Sequence, residues 1–233
     1  MYPRRMVSQA LRLGLLATLV ALALSACGGG EAAGGGQEQA KARPLPQDPQ
    51  ALRPGEYRTE EFKPSASFRV GKGWSNTETQ LPDSIEVGEV EQQEETAWIN
   101  FVNVEEVFKP CTRNEVEAPE DLVGWFQHHP YLKTDKPEPI TVGGVEGVQF
   151  DVLVEDLPEN YYGVCGRGCV DIFSLSGGEQ TTYFYESHKR RVVVLEDVQD
   201  DTVTIAFSSD ADNFDEFAPE AKKVLDTVKW GGS

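Results

Sequence analysis

The chain of 233 residues carries 39 acidic against 21 basic side chains, a formal net charge of −18 at neutral pH. Nucleic-acid binding requires the opposite charge, so the composition predicts no nucleic-acid partner. An anionic lipid surface would also repel such a chain, which excludes a basic patch as the means of membrane attachment.

The first 26 residues have the layout of a secretory signal peptide. Arg4, Arg5 and Arg12 supply positive charge without any acidic residue, and a mostly apolar run over 13–24 follows. This run is shorter than the roughly 20 apolar residues of a spanning helix, and it ends in small residues instead of a basic flank. We therefore predict that residues 1–26 are removed on export.

Residues 24–27, Leu-Ser-Ala-Cys, resemble the bacterial lipobox, in which the cysteine thiol receives diacylglycerol before cleavage. The mature chain would begin at Cys27 and keep 18 basic against 39 acidic side chains. Two or three acyl chains hold a protein stably at a membrane, whereas one binds only marginally. The resemblance implies an extracytoplasmic lipoprotein on the outer face of a bacterial cell membrane, with that membrane as its partner through the lipid on Cys27.

The segment after the lipobox, 27–54, is predicted to be a disordered tether. It is rich in Gly, Ala, Gln and Pro and has few large apolar side chains, so it buries too little surface to offset its ordering entropy. Residues 55–233 contain no second low-complexity break and no internal repeat. We predict that they form a single globular domain.

Strand patterns dominate this domain. Apolar residues alternate over 148–154 and 203–207, which predicts strands with one buried face. The nearly continuous apolar runs at 97–104 and 192–195 predict central strands that are covered on both faces. Gly143-Gly144 predicts a tight hairpin turn, and the region 139–208 predicts an antiparallel meander of about five strands.

Two helices are predicted on either side of the meander. The first is expected to begin at Pro119 and to end before Pro130, with its apolar face formed by Leu122, Trp125, Phe126 and His129. The second is expected to have its regular part begin at Pro219, after a capping box formed by Asn213 and Glu216. Its apolar stripe comprises Phe217, Ala221, Val224, Leu225 and Val228. These elements predict an α+β fold, a mostly antiparallel sheet with flanking helices.

Three cysteines remain beyond Cys27, in an oxidising compartment if the chain is exported. Their odd number predicts one disulfide and one free thiol. We expect the bridge to join Cys111 to Cys165 or Cys169, because that longer loop removes more entropy from the unfolded chain; pairing of Cys165 with Cys169 is the alternative. The spacing of Cys165 and Cys169 is one residue longer than in thioredoxin-like motifs and most zinc hooks, which favours a structural bridge.

The sequence contains no recognisable enzyme motif, and we predict no catalytic residue, no metal site and no cofactor. On a helix, the adjacent His128 and His129 would point about 100° apart, which predicts one packed and one exposed histidine. We interpret His188 as a surface residue in a strand connection. The acidic residues at 210–216 lack the ligand and glycine pattern of a calcium-binding loop.

The candidate contact surface is the segment 161–169. Tyr161 and Tyr162 offer large amphipathic side chains, and Arg167 supplies positive charge on an acidic domain. A bridge to a cysteine in this segment would hold it in one shape and lower the entropy lost on binding. The alternative is that the two tyrosines pack over the edge of the core.

The order of the elements resembles the PsbP-like α/β/α sandwich, and the mycobacterial LpqN lipoproteins look similar. The pattern is carried chiefly by Pro-Ile-Thr-Val-Gly-Gly at 139–144 and by Pro-Glu-Ala-Lys-Lys-Val-Leu-Asp-Thr-Val at 219–228. Proteins with this fold are typically non-catalytic binding or docking subunits, which the resemblance implies here. The cysteines after Cys27 and the acidic stretch at 83–95 depart from the pattern, so no binding residue is carried over from it.

Three functional hypotheses follow. The first is a membrane-tethered, non-catalytic binding or docking module of the cell envelope, whose partner is an envelope protein, a glycan or a lipid. The second is a carrier of a small apolar or lipid ligand, which would need a sizeable apolar cavity. The third is an enzyme, which would need a cleft with convergent titratable groups.

We predict that Cys27 is the acylated first residue of the mature protein. The intact mass of the membrane-bound protein should correspond to a chain that begins at Cys27 and carries lipid. Substitution of Cys27→Ala should abolish processing and membrane attachment, because the acylated thiol is lost. A mature chain that begins elsewhere, or a Cys27→Ala protein that is still processed and membrane-bound, would contradict the prediction.

Overall fold

The computed structural model describes residues 41–91, 94–110, 112 and 114–231, which belong to one compact unit, Ala40–Ser233. The predicted signal peptide and Cys27 lie outside the described residues. The helices are α1 (Leu122–His128) and α2 (Phe214–Leu225). The strands are β1 (Arg43–Pro44), β2 (Gln50–Ala51), β3 (Gly55–Arg58), β4 (Ala66–Val70), β5 (Trp74–Asn76), β6 (Ser84–Glu91), β7 (Glu94–Asn103), β8 (Glu106–Phe108), β9 (Glu115–Glu117), β10 (Leu132–Thr134), β11 (Glu138–Val142), β12 (Val145–Val154), β13 (Cys169–Leu175), β14 (Gln180–Tyr185), β15 (His188–Val198), β16 (Asp201–Asp210) and β17 (Lys229–Trp230).

A nine-stranded antiparallel sheet forms the middle layer of the fold. Its strand order is β10-β12-β15-β16-β7-β6-β5-β2, and β11 pairs with β12. The two apolar runs predicted to be central lie in β7 and β15, which are both interior strands of this sheet. Both runs are therefore confirmed as covered strands, and the alternation over 148–154 is confirmed in β12. The single buried face predicted over 203–207 is wrong, because β16 is an interior strand whose residues from 203 to 209 are all buried between the two cores.

Each face of the nine-stranded sheet carries its own apolar core. One face packs against α2 and against a four-stranded sheet of order β1-β3-β4-β17. The other face packs against α1 and against a second four-stranded sheet of order β14-β13-β8-β9. The predicted α+β class, with mostly antiparallel strands and flanking helices, is confirmed. Each helix shares its layer with a small sheet.

The predicted hairpin turn at Gly143-Gly144 is confirmed between β11 and β12. Val142 pairs with Val145, and the two glycines have φ angles of 59° and 86°. These left-handed angles match a two-residue turn whose twist suits antiparallel strands. The turn also holds the last strand, because Trp230 donates a hydrogen bond from Nε1 to the Val142 carbonyl oxygen at 3.0 Å.

The predicted meander over 139–208 is wrong in its connectivity. β12 pairs with β15, and the hairpin β13–β14 between them leaves the nine-stranded sheet and joins β8 and β9 instead. The reason is burial: all seven residues of β13 are buried, because this hairpin covers the α1 side of the large sheet. Six strands, not five, occupy the segment.

The helices differ from the prediction at their ends. α1 begins at Leu122 and not at Pro119, since Asp121 caps it by accepting a hydrogen bond from the Gly124 backbone N–H at 2.7 Å. α2 begins at Phe214, so Pro219 lies inside it, and the burial of Phe214 and Phe217 offsets the lost backbone hydrogen bond.

None of the described helices is both long enough and apolar enough to span a bilayer.

Two smaller predictions about α2 are also corrected. Asn213 occupies the N-cap position, but its side chain forms no capping hydrogen bond, so there is no capping box with Glu216. Its backbone oxygen accepts the N–H groups of Glu216 and Phe217 instead. Val228 is buried as predicted, although it lies beyond the end of the helix.

The predicted boundary between tether and domain, at residue 54, is wrong. β1 and β2 belong to two different sheets, and Leu45 and Leu52 are buried in the core on the α2 side. The side-chain amides of Asn76 and Gln80 both donate hydrogen bonds to the carbonyl oxygen of Pro46, and these contacts fix the segment without a long apolar run. Sequence composition misses such a segment because these contacts are made by side chains 30 and 34 residues away in the chain.

The turn glycines give a matched test of this packing. A methyl group on Gly143 would lie 2.6 Å from Trp230 Cδ1, whereas one on Gly144 would meet nothing within 4 Å. Both substitutions impose a left-handed φ on alanine, at about 1–2 kcal/mol each. We expect Gly143→Ala to lower the free energy of unfolding by a further 1–3 kcal/mol or so, because the rigid indole must move.

Urea unfolding of the two variants measures this difference. Equal losses for Gly143→Ala and Gly144→Ala would show that the indole does not constrain the turn.

Candidate functional site

A cleft of about 410 Å³ opens between the nine-stranded sheet and the hairpin β13–β14. Its floor is the face of the large sheet that also bears the α1 core. Its opposite wall is formed by residues 180–185 of β14, and Val164 lies at its rim. This volume lies within the range of roughly 300–1,000 Å³ that is usual for small-molecule sites.

The floor follows from the register of three neighbouring strands. Arg190 of β15 pairs with Ser208 of β16, and Ser208 pairs with Trp98 of β7. The next row inward contains Asn100 and, on β6, its partner Glu86. Further along the same face the side chains beneath α1 are apolar, for example Val192 and Val194 of β15. The cleft is thus the polar end of an otherwise apolar sheet face.

Arg190 is the least expected residue of the floor, because it is only 2% exposed. Its guanidinium lies 4.4 Å from the Phe184 ring centroid, and Nη1 donates a hydrogen bond to the Tyr185 carbonyl oxygen at 3.1 Å. Within the described residues, Nη2 has no hydrogen-bond partner and no carboxylate lies within ion-pair distance of the group. Burial lowers the pKa of Arg190 to about 9, so the group stays charged at neutral pH.

Two more polar groups of the floor lack a protein partner. In the part of the chain that the structure describes, the Ser208 hydroxyl and the Asn100 Oδ1 atom are buried without a hydrogen bond. The Asn100 amide nitrogen donates long bonds to Ser84 Oγ at 3.4 Å and to Glu86 Oε2 at 3.5 Å. Buried polar groups in proteins are normally paired. This cluster of unpaired groups therefore marks a place where a polar ligand or water completes the structure.

The end of the cleft opposite Arg190 is acidic. Glu86 lies on β6, three strands away from Arg190, and Glu78 lines the mouth. Partial desolvation raises the pKa of Glu78. The hydrogen bond to Tyr185, burial and, to a smaller extent, these two carboxylates raise the pKa of Tyr183 to about 12. Tyr183 is therefore near the carboxylates, and the cleft has one cationic and one anionic end.

Aromatic rings support the cationic end. His188 packs edge-on against Trp98 and Tyr185, at 5.0 and 5.1 Å between ring centroids, and its Nε2 lies 3.1 Å from Asp210 Oδ1. Burial and the charge of Arg190 lower the pKa of His188, against an opposing effect of Asp210. The interpretation of His188 as a surface residue is wrong, because its side chain is only 13% exposed at the start of β15.

The cysteine loop, residues 161–169, borders the cleft. Gly163 and Gly166 form an antiparallel bridge with two backbone hydrogen bonds, and the Val164 N–H donates to Asp171 Oδ1 at 2.8 Å. A side chain at Gly163 would come within 3.0 Å of Asp171 Oδ1 and Cys169 Sγ, so glycine is required by the close approach. The loop is thus folded tightly against β13.

A disulfide joins Cys165 to Cys169, with 6.4 Å between their Cα atoms. The prediction of one bridge among the last three cysteines is confirmed, but the favoured pairing with Cys111 is wrong. The tight turn at Gly163–Gly166 brings the two nearby sulfurs together, although closing so short a loop stabilises by only about 2 kcal/mol in the entropic model. Cys111 itself lies outside the described residues.

The two tyrosines of this loop have different environments. Tyr161 is half-buried and packs edge-on against Tyr131 at 5.3 Å, whereas Tyr162 is 63% exposed. Arg167 is also exposed, and none of these three residues lines the cleft. The alternative that the tyrosines pack over the edge of the core is therefore correct for Tyr161 alone. Tyr162 and Val164, which is 51% exposed, form the apolar surface of the loop.

A column of rings connects Tyr131 to helix α1. Tyr131 contacts His129 at 5.9 Å, and His129 contacts Trp125 at 5.1 Å. His129 is buried and His128 is exposed, which confirms the prediction of one packed and one exposed histidine. Burial lowers the pKa of His129 to about 4, so this histidine is neutral inside the column at physiological pH.

Sequence reasoning missed the cleft because no motif marks it. The signal was present on one face of β15, where Val194 and Val192 are followed by the charged Arg190, and beside it on β16, where Ala206 is followed by the polar Ser208. Reading that signal required the register between the strands.

Alanine substitution of each tyrosine separates packing from exposure. We expect Tyr161→Ala to lower the free energy of unfolding by about 1–3 kcal/mol, because it removes the contact with Tyr131. Tyr162→Ala should change it by less than about 0.5 kcal/mol. Thermal and urea unfolding give both values. Equal destabilisation by the two substitutions would contradict the assignment of Tyr162 to the surface.

No protein-family model and no curated protein sequence matches the chain. Among solved structures it is similar to cyanobacterial PsbP (CyanoP) from Synechocystis sp. PCC 6803, determined in solution. The identity is 11% and the TM-score 0.39, over 77% of this chain and 95% of that chain. The function of the cleft therefore has to be argued from its own residues.

Proposed function

We propose that this protein is a lipid-anchored, non-catalytic binding protein of the bacterial cell envelope, and that the cleft between its sheets receives a small polar ligand. The lipobox at Cys27 supports the anchor. The observation that carries the binding role is the buried Arg190 guanidinium at the cleft floor, which lacks a charged partner among the residues that the structure describes. A buried charge of this kind costs stability unless something pairs with it.

The character of the lining favours a polar ligand over the apolar or lipid cargo of the carrier hypothesis. Arg190, Glu78 and Glu86 bring charge to both ends of the cleft, and Ser208 and Asn100 bring to its floor polar atoms that have no partner among the described residues. An acyl chain would cover these groups without pairing them, and the desolvation cost would remain. A ligand that forms hydrogen bonds would reduce it.

The cysteine loop supplies a second contact in this proposal. Tyr162 and Val164 expose apolar surface beside the mouth of the cleft, and the disulfide keeps the loop in one shape. A preorganised aromatic surface loses little entropy when it meets a partner. We assign the docking role to the exposed Tyr162 and Arg167 of this loop, while Tyr161 anchors the loop through its contact with Tyr131. The partner would be an envelope protein, a glycan or a lipid head group.

We also infer that the domain is a variant of the PsbP-like α/β/α sandwich, related to the LpqN lipoproteins, in which a small sheet accompanies each helix. The support is the element order together with the hairpin at 139–144 and the final helix.

The binding role is tested by thermal unfolding of the full-length protein in detergent against a library of small polar metabolites, with hexadecanol, a long-chain compound without a charged group, as the apolar competitor. A true ligand at about 100 times its Kd should raise Tm by about 5–10 °C. Hexadecanol should not raise it. Arg190→Gln should remove the shift, because the guanidinium is lost.

Arg191→Gln is the matched control, since this neighbouring arginine points to the other face of β15 and pairs with Asp151 at 2.6 Å. The ligand should raise the Tm of this variant above its ligand-free value by as much as it raises the Tm of the unsubstituted protein. Stabilisation by hexadecanol alone would favour the carrier hypothesis, and the absence of any shift across the library would end the proposed binding role.

A further inference from the structure

We propose that the ligand of the cleft is a zwitterion with a carboxylate at one end and an ammonium group at the other, as found in short peptides. The carboxylate binds Arg190 and the ammonium group binds at Glu86 and Glu78. This inference rests on the proposed function and adds the chemical class of the ligand.

The carboxylate end is determined by Arg190. The guanidinium is held by the Phe184 ring and by the Tyr185 carbonyl oxygen, and among the described residues its Nη2 atom has no acceptor. Ser208 lies directly opposite Arg190 on the neighbouring strand β16, and its hydroxyl also has no hydrogen-bond partner within the described part of the chain. A carboxylate with two oxygens can accept from both groups, and arginine is well suited to this geometry.

The ammonium end is determined by the two carboxylates and the rings beside them. Glu86 accepts a hydrogen bond from Thr77 Oγ1 at 2.8 Å, which orients it at the edge of the floor, and Glu78 lies at the mouth. Trp98 and Tyr183 stand between these groups and Arg190. Aromatic faces and carboxylates together favour a cation.

A simple anion or a simple cation would satisfy only half of this arrangement. An anion large enough to fill the cleft would face Glu86 and Glu78 at its other end, and like charges in a partly desolvated site repel strongly. A cation would leave Arg190 unpaired. The strands of Arg190 and Glu86 are about 14 Å apart in the sheet, so the two charges have to lie at separate ends of the ligand.

The experiment uses calorimetric titration of the full-length protein in detergent. The peptides Ala-Ala, Ala-Ala-Ala and Ala-Ala-Ala-Ala are tested first, with the common α-amino acids as controls, whose two charges lie too close together to reach both ends of the cleft. An α-amino acid that binds as tightly as the best peptide would overturn the two-ended arrangement. The best binder is then compared with its carboxamide and with its N-acetyl derivative. Each lacks one charge and should bind at least about tenfold more weakly, the usual effect of losing a hydrogen bond to a charged group.

Variants assign each charge to its residue. Arg190→Gln should weaken the zwitterion at least about tenfold but should leave the carboxamide unchanged, because the paired group is already absent. Glu78→Gln should weaken the zwitterion but not the N-acetyl derivative. Since Glu78 is exposed, this variant keeps the test valid if Arg190→Gln fails to fold. Glu179→Gln is the matched control, because Glu179 is exposed next to β14 and does not line the cleft.

The outcomes distinguish the two levels of the proposal. Equal affinity for the zwitterion and its singly charged derivatives would overturn the zwitterion and leave the binding role intact. The same holds if polar metabolites of another class bind while no peptide does. Absence of binding by every polar compound would overturn both, and the cleft would then hold water only.

Discussion

The in-register pairing of β15, β16 and β7 is the constraint on which the rest of the site depends. It places Arg190, Ser208 and Trp98 in one row across three strands, and it places Val192 and Val194 on the same face beneath α1. Because side chains alternate along a strand, a slip of one residue would move Arg190 to the face that packs against α2. The apolar core below the cleft enforces the register, and the register positions the charge.

The hairpin β13–β14 converts that row into an enclosed site. Phe184 is buried in the core with Phe126, at 6.3 Å between ring centroids, and also lies against the Arg190 guanidinium. The neighbouring tyrosines of β14 face the cleft. The same strand therefore anchors the second sheet and holds the arginine side chain in place. Such a guanidinium is oriented before any ligand arrives, which reduces the ordering that binding requires.

The sequence was sufficient for β7, β11, β12, β15 and β16 of the large sheet and for the α+β class, because apolar runs and hydrophobic alternation report on burial. It was insufficient for the path of β13–β14, since a hairpin that leaves the sheet has the same local pattern as one that stays in it. The Cys165–Cys169 bridge was predicted to be less favourable than a bridge to Cys111, because the entropy of the closed loop takes no account of the turn at Gly163–Gly166. The cleft could not be predicted, because its polar residues are adjacent only after the strands are aligned.

Charge at long range adds a further argument about the ligand. The chain as a whole carries a net charge of −18, so its field repels anions that come within the screening length of about 8 Å of its surface. The buried Arg190 cannot reverse that field at a distance, although it favours a carboxylate strongly once one is inside the cleft. A molecule with no net charge approaches without this repulsion. A zwitterion therefore resolves the conflict between an acidic surface and a cationic floor: its charges cancel during approach and separate to their partners on binding.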